Sequence, residues 1–228
     1  MKHKTDITTG LRTVLLGMLL SILTACSENS AYETAICALV DISGTYADEK
    51  GNVARLIKAG ILPEMISGDS LFFITIDSNS FSEENLKQKV KLDYRPSFAN
   101  QQKLDFANAL DKFASGMERS SYTDISGAMM LCSDYLKSTD ARTQLMFIFS
   151  DMQEDLEDGI ARVFEDDEFT NINIAAMNVI RLARDSSDPR IFRDRLRDWE
   201  SKVSKAGASN WEVILEPVQI PKFIEQAK

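Results

Sequence analysis

Histidine is almost absent from this 228-residue chain: the single copy is His3, inside a basic leader. The rest of the sequence therefore has no imidazole for a His-bearing zinc site or a Ser-His-Asp relay. Cysteine is scarce as well. Cys26, Cys37 and Cys132 have no CxxC spacing among them. Basic residues are in the minority, 26 Lys+Arg against 35 Asp+Glu, for a net charge of −9. That balance argues against a nucleic-acid partner and fits a basic or metal-bridged one. Long apolar runs are scarce too. Val14 to Leu23 is one, and it is too short to span a bilayer comfortably. The chain contains no internal repeat, no low-complexity tract and no sign of a second domain.

The leader reads as an address label. Lys2, Lys4 and Arg12 precede the apolar run, and Leu23-Thr24-Ala25-Cys26 follows it. That tetrapeptide resembles the lipobox of bacterial lipoproteins. The resemblance implies a signal peptide over 1–25, cleavage before Cys26, and lipid on the Cys26 sulfur and new amino group. An ordinary signal peptide or a short membrane anchor is the alternative. Ser27, where Asp would retain a Gram-negative lipoprotein at the inner membrane, implies the outer membrane facing the periplasm. In a Gram-positive cell the same signal implies the outer leaflet of the plasma membrane. The chain would then meet the membrane through its N-terminal lipid only. Loss of 1–25 removes Lys2, Lys4 and Arg12 against Asp6, which makes the net charge more negative by two. About two hundred residues remain, enough for one well-buried domain.

Residues 26–34 form a polar tether, 35–216 the expected domain and 217–228 a peripheral tail. Ile36 to Val40 and Leu145 to Phe149 are unbroken apolar runs, as expected of central strands buried on both faces. Ser70 to Asp77 and Ile172 to Ile180 read as further strands, and Trp211 to Leu215 as the last. Lys87 to Tyr94 alternates charged and apolar residues, which predicts an antiparallel edge strand guarded by lysines. Helices are expected over 52–66, 98–117 and 123–137, and within the acidic stretch 154–168. Another should start at Asp188-Pro189 and end at Gly207. Strands alternating with helices imply a three-layer, doubly wound α/β sheet, mostly parallel with one antiparallel edge strand.

Cys37 and Cys132 fall at similar depth, each roughly 13 Å from the sheet edge that carries Asp41 and Thr123. An oxidising compartment permits a disulfide between them. Two buried thiols are the preferred reading, because strand-to-helix geometry seldom meets disulfide limits.

The chemistry concentrates at strand ends. The first strand runs into Asp41-Ile42-Ser43-Gly44-Thr45, and the fourth into Ser150-Asp151. Thr123-Asp124-Ile125-Ser126-Gly127 opens a helix between them. In a parallel sheet, one edge would gather Asp41, Ser43, Thr45, Thr123 and Asp151. That all-oxygen set suits a small hard cation, and open parallel sheets place ligands at this edge.

These three segments, in this order, resemble a von Willebrand factor type A domain, over roughly residues 34–216. The DxSxS motif of that family stands here as DxSxT, which keeps the hydroxyl. The resemblance implies a metal-ion-dependent adhesion site. Ser43 and Thr45 would give hydroxyl oxygens to Mg²⁺ (or Mn²⁺ or Ca²⁺), and Thr123 would bind directly or through water. Asp41 and Asp151 would act through water and hydrogen bonds. It further implies a non-enzymatic module whose protein ligand completes the cation's coordination with a carboxylate.

Blander readings stand beside this one. Asp-x-Ser-x-Thr can be a hydrogen-bonded turn, and Thr123 a helix cap. The site would then be empty in a structural envelope protein. An enzymatic alternative also exists. Asp41-x-Ser43-Gly44-Thr45 resembles the DxDGT opening of haloacid-dehalogenase-type phosphatases, with Asp41 as nucleophile and Asp151 as a Mg²⁺ ligand. Ser43 replaces the general acid of that scheme, no lysine can be assigned convincingly, and Thr123 has no role in it. The acidic run at 154–168 reads as a solvated face. Arg190, Arg193 and Arg197 read as a salt-bridged surface.

Overall fold

The computed structural model describes residues 32–44, 46–182, 185 and 188–228. The expected leader, Cys26 with its expected lipidation, and Thr45 lie outside these residues. Six strands form one sheet: β1 (Thr34–Asp41), β2 (Ser70–Ile76), β3 (Leu86–Lys91), β4 (Thr143–Phe149), β5 (Ile172–Met177) and β6 (Asn210–Ile214). Their order is β3-β2-β1-β4-β5-β6. All neighbours are parallel except β2 and β3. The expected doubly wound sheet and its antiparallel edge strand are both present. Strand order reverses between β1 and β4, which opens a crevice at their carboxyl ends.

The sheet's central position explains its sequence. Every residue of β1 is buried, because helices cover both faces. Ile36, Ala38 and Val40 enter one core with Ile57, Phe106 and Phe223; Cys37 and Leu39 enter the other with Met129, Trp199 and Val203. The first core lies under α1 (Lys50–Leu56), α2 (Pro96–Ala114) and α5 (Ile220–Ala227). The second lies under α3 (Ile125–Lys137) and α4 (Pro189–Lys205). Each fully buried large apolar side chain contributes about 1.5–3 kcal/mol.

Helix ends follow local chemistry. α1 widens into a π turn at Ile57–Ile61 and tightens into a 3₁₀ turn at Leu62–Glu64, beside Pro63, which has no N–H to continue the ladder. At α4, the Asp188 carboxylate accepts from the Arg190 N–H, and Pro189 occupies the first turn. Gly207, at φ +84°, follows its last residues, as the sequence predicts. Among the described residues no helix is long and apolar enough to cross a membrane.

Four expectations need correction. Residues 154–168 form an irregular loop and no helix; Asp155 pairs its backbone with Thr123, and Gly159 turns at φ +90°. The preferred pair of free thiols is replaced by a Cys37–Cys132 disulfide. Strand and helix approach to a Cα–Cα separation of 6.1 Å, inside the range that permits one. Asp124, and not Thr123, caps α3. The tail is not peripheral. α5 buries Ile220, Phe223 and Ile224, and Phe223 meets Phe147 of β4 edge to face at 5.5 Å. Gly60 makes this docking possible: a Cβ there would stand 2.6 Å from Ile220 Cδ1.

Candidate functional site

Asp41 closes β1 and is fully buried. Its Oδ1 accepts from the Ser43 N–H at 2.7 Å, and its Oδ2 from the Ser150 hydroxyl at 2.7 Å. Asp41 thus ties its own loop to the end of β4, across the crevice. Burial raises its pKa to about 6, and the neighbouring Asp151 charge adds to that; the hydrogen bonds from Ser150 and Ser43 oppose the rise.

Two further loops meet at the same rim. The Ser120 N–H donates to the Ile42 carbonyl at 2.9 Å, and Ser43 and Ser120 form a short parallel bridge. That contact carries the segment leading to Thr123 against the Asp41 loop. Thr123 exchanges backbone hydrogen bonds with Asp155, at 2.8 and 3.0 Å. The Thr123 arm is thereby joined to the arm that starts at Asp151. Asp151 itself is buried, and its Oδ1 accepts from the Gln153 N–H at 2.7 Å. Ser43 and Thr123 are both buried among these loops. The loops that carry Asp41, Ser43, Thr123 and Asp151 thus adjoin one another at the carboxyl edge of the sheet.

Asp124 locks the Thr123 arm. It is fully buried, and its carboxylate accepts from the Gly127 N–H at 2.8 Å and the Ser80 N–H at 3.0 Å. Arg162, from the acidic loop, adds an ion pair at 2.7 Å. One charge thus binds the start of α3, the loop after β2 and the loop after β4. Gly127 leaves room for it, since any Cβ there would collide with the Asp124 carboxylate. Glu154 completes the helix start by accepting from the Ser126 N–H at 2.7 Å. The first acidic residues of this loop are structural, and Glu157, Asp158 and Glu165 are exposed.

Other supports were not visible as motifs. The Tyr46 ring is fully buried, and its hydroxyl donates to the Asn178 carbonyl at 3.1 Å. Burial pushes this phenol well above its ordinary pKa, and Asp41 and Asp151 are near enough to add to the rise. Tyr46 thereby pins the loop after Ser43 to the end of β5. Arg162 and Trp199 act here through tertiary contacts, so spacing alone does not reveal them.

The donor chemistry bears on whether a cation fits. Among the described residues there is no group of three or more His, Cys, Asp or Glu placed to hold a metal. The cluster here is of another kind: two hydroxyls and two buried carboxylates whose charges repel. Hard cations favour oxygen sets of this sort, and a divalent charge would relieve the repulsion. The residues present fit such an ion.

Along α4, the arginine stripe is largely spoken for. Arg190 pairs with Asp188 at 2.9 Å and Arg197 with Asp194. The cleft of about 690 Å³ between α4 and β6 contains none of the rim residues.

No family model and no curated protein matches the sequence. Solved structures do match. The PilB minor pilin of Streptococcus sanguinis is similar with a TM-score of 0.52, at 8% identity, over 88% of this chain and 61% of that one. The pilus adhesin SpaC of Lactobacillus rhamnosus GG gives 0.51 at 12% identity, over 88% of this chain and 30% of that one. A von Willebrand factor type A protein of Catenulispora acidiphila gives 0.48 at 10% identity, over 86% and 42%. The chain spans less than two thirds of the length of each. The fold shared with the pilin and the adhesin is a six-stranded, doubly wound α/β sheet with one antiparallel edge strand.

Proposed function

We propose that this chain is a cell-envelope module that captures a protein ligand through a divalent cation and performs no turnover. The domain would occupy 35–216, with α5 packed back onto it, held to the outer membrane by lipid on Cys26. Mg²⁺, Mn²⁺ or Ca²⁺ would be held by Ser43, Thr45 and Thr123, with Asp41 and Asp151 supporting. When bound, the ion offers an electrophilic position that a ligand's carboxylate can take.

The residues of the chain do the rest. Asp41 fixes its own loop through the Ser43 N–H. Ser150 holds Asp41 in place from the neighbouring strand. Asp124 and Arg162 keep the Thr123 arm against the Asp151 arm. The observation that carries the reading is the double hold on Asp41, which joins the two strand ends flanking the topological switch. The same hold speaks against Asp41 as a phosphatase nucleophile. Both its oxygens are occupied, and the side chain is fully buried.

The test is thermal melting of the chelator-treated protein with Mg²⁺, Mn²⁺ or Ca²⁺, beside Ser43→Ala and Asp151→Asn. An ion that binds only the folded state must raise the midpoint. The wild type should respond and the variants should not. Crosslinked capture of envelope proteins should likewise be lost in EDTA. A midpoint unmoved by millimolar cation, or capture that survives complete chelation, overturns the proposal.

A further inference from the structure

Met152, the residue after Asp151, has a left-handed backbone, at φ +61°. This region is uncommon for a residue with a side chain, and the surroundings must hold the chain in it. Two contacts do so. The Met152 N–H donates to the Ser150 hydroxyl at 3.0 Å, and the Met152 carbonyl accepts from the Trp199 indole N–H at 2.9 Å. Trp199 and Met152 are both buried. The reversal at Met152 sets the direction of the arm carrying Asp151 and Gln153, whose side chain and N–H bond to each other.

Trp199 sits in the middle of α4, outside every motif at the sheet edge. Its neighbour Lys202 lies 4.5 Å from the ring centroid and reaches Glu154 at 3.7 Å. Glu154 in turn accepts from the Ser126 N–H. One turn of α4 thus supports both the Asp151 arm and the start of α3 that follows Thr123. Val203, on the same face, is buried in the core, and Leu196 packs against it.

We propose that Trp199 is a positioning residue for the candidate cation site: its indole N–H holds Met152 left-handed and so aims Asp151 into the cluster. The inference rests on the cation-binding reading of the site and adds a residue from a remote helix to it. Without the N–H, Met152 relaxes toward ordinary φ, and the arm must be re-ordered whenever an ion binds. Cation affinity should fall roughly fivefold or more, the cost of holding one non-glycine residue left-handed.

The experiment compares Trp199→Phe with Val203→Ala, using Mg²⁺ alone as the probe. Each variant is melted without and with Mg²⁺, and its affinity is measured by calorimetry. A residue that merely packs α4 lowers both midpoints equally, and Val203→Ala should do that. Trp199→Phe should also shrink the gap between the midpoints and weaken affinity. If the wild type responds to Mg²⁺ and Trp199→Phe responds equally, this inference falls and the cation site stands. If the wild type does not respond, both fall. Should Trp199→Phe fail to fold, the wild type still decides. Its indole N–H resonance from Trp199 should shift on Mg²⁺ addition while that of Trp211 stays fixed. An unmoved Trp199 signal at saturating Mg²⁺ overturns the proposal.

Discussion

The Ser150 hydroxyl donates to the Asp41 carboxylate at 2.7 Å, although 109 positions separate the two residues. It also accepts from the Met152 N–H at 3.0 Å. Ser150→Ala would leave a buried carboxylate oxygen and a buried N–H without this partner. Hydrogen bonds to charged groups contribute about 1.5–3 kcal/mol each, and an orphaned buried group costs a similar amount. Urea unfolding should show a loss of about 2 kcal/mol. A loss near zero would mean that water replaces the hydroxyl and that the Asp41 hold is loose.

The Cys37–Cys132 bond joins β1 to α3 across a sequence separation of 95. Both cysteines are fully buried. Closing so long a loop restricts the unfolded chain, and removing native disulfides of this kind typically costs about 2–4 kcal/mol. Replacing both cysteines by Ala should therefore lower stability by that amount. Non-reducing peptide mapping should recover the two cysteines in one linked pair. Recovery of both as free thiols would restore the two-thiol reading.

The sheet was legible because its strands obey one rule. Ile36–Val40 and Leu145–Phe149 carry no polar residue, as burial under two helical layers demands, and the lysines of β3 mark an edge. Asp188-Pro189 and Gly207 gave the limits of α4 through local backbone chemistry alone. Asp41, Thr123 and Asp151 could be assigned to one sheet edge because each lies at the limit of such an element. What remained hidden was tertiary. Nothing near Arg162 in sequence announces that it reaches Asp124, 38 positions earlier. Nothing near Trp199 points to the Met152 carbonyl. The acidic loop misled for a related reason: its charge density fits a solvated helix, but Asp155 is committed to Thr123. α5 carried a readable signal in the spacing of Ile220, Phe223 and Ile224, which is one helical face.

That face makes the tail testable. Phe223 is 2% exposed and packs on Phe147, which is fully buried in β4. Phe223→Ala removes a large buried ring, for which losses of about 3–5 kcal/mol are usual. Lys222→Ala, on the same helix, should change little, because surface substitutions usually stay within about 0.5 kcal/mol. Chemical denaturation of the two variants separates a docked helix from a peripheral one. Equal, small effects would return the tail to the periphery.

Glu33 supplies a pH-dependent contact between the start of the domain and the sheet edge. Its carboxylate accepts from Lys91 at 2.9 Å and also from the Tyr94 hydroxyl. Burial pushes its pKa up, but the Tyr94 and Lys91 contacts together outweigh that and hold it below the usual carboxylate range. A carboxylate whose folded pKa is depressed stabilises the protein above its unfolded pKa, about 4.3 for Glu. The contribution is lost as pH falls through the lower folded value. Lys91 is 57% exposed on its side chain, so water and salt screen the pair, and about 0.5–1 kcal/mol is the expected scale. Lys91→Met should therefore be less stable than wild type near neutral pH, and the difference should vanish in acid as Glu33 protonates in the folded state. Salt should shrink it as well. A difference that persists undiminished in acid would show that Lys91 acts through its aliphatic stem, and the Glu33 charge would then have no part in it.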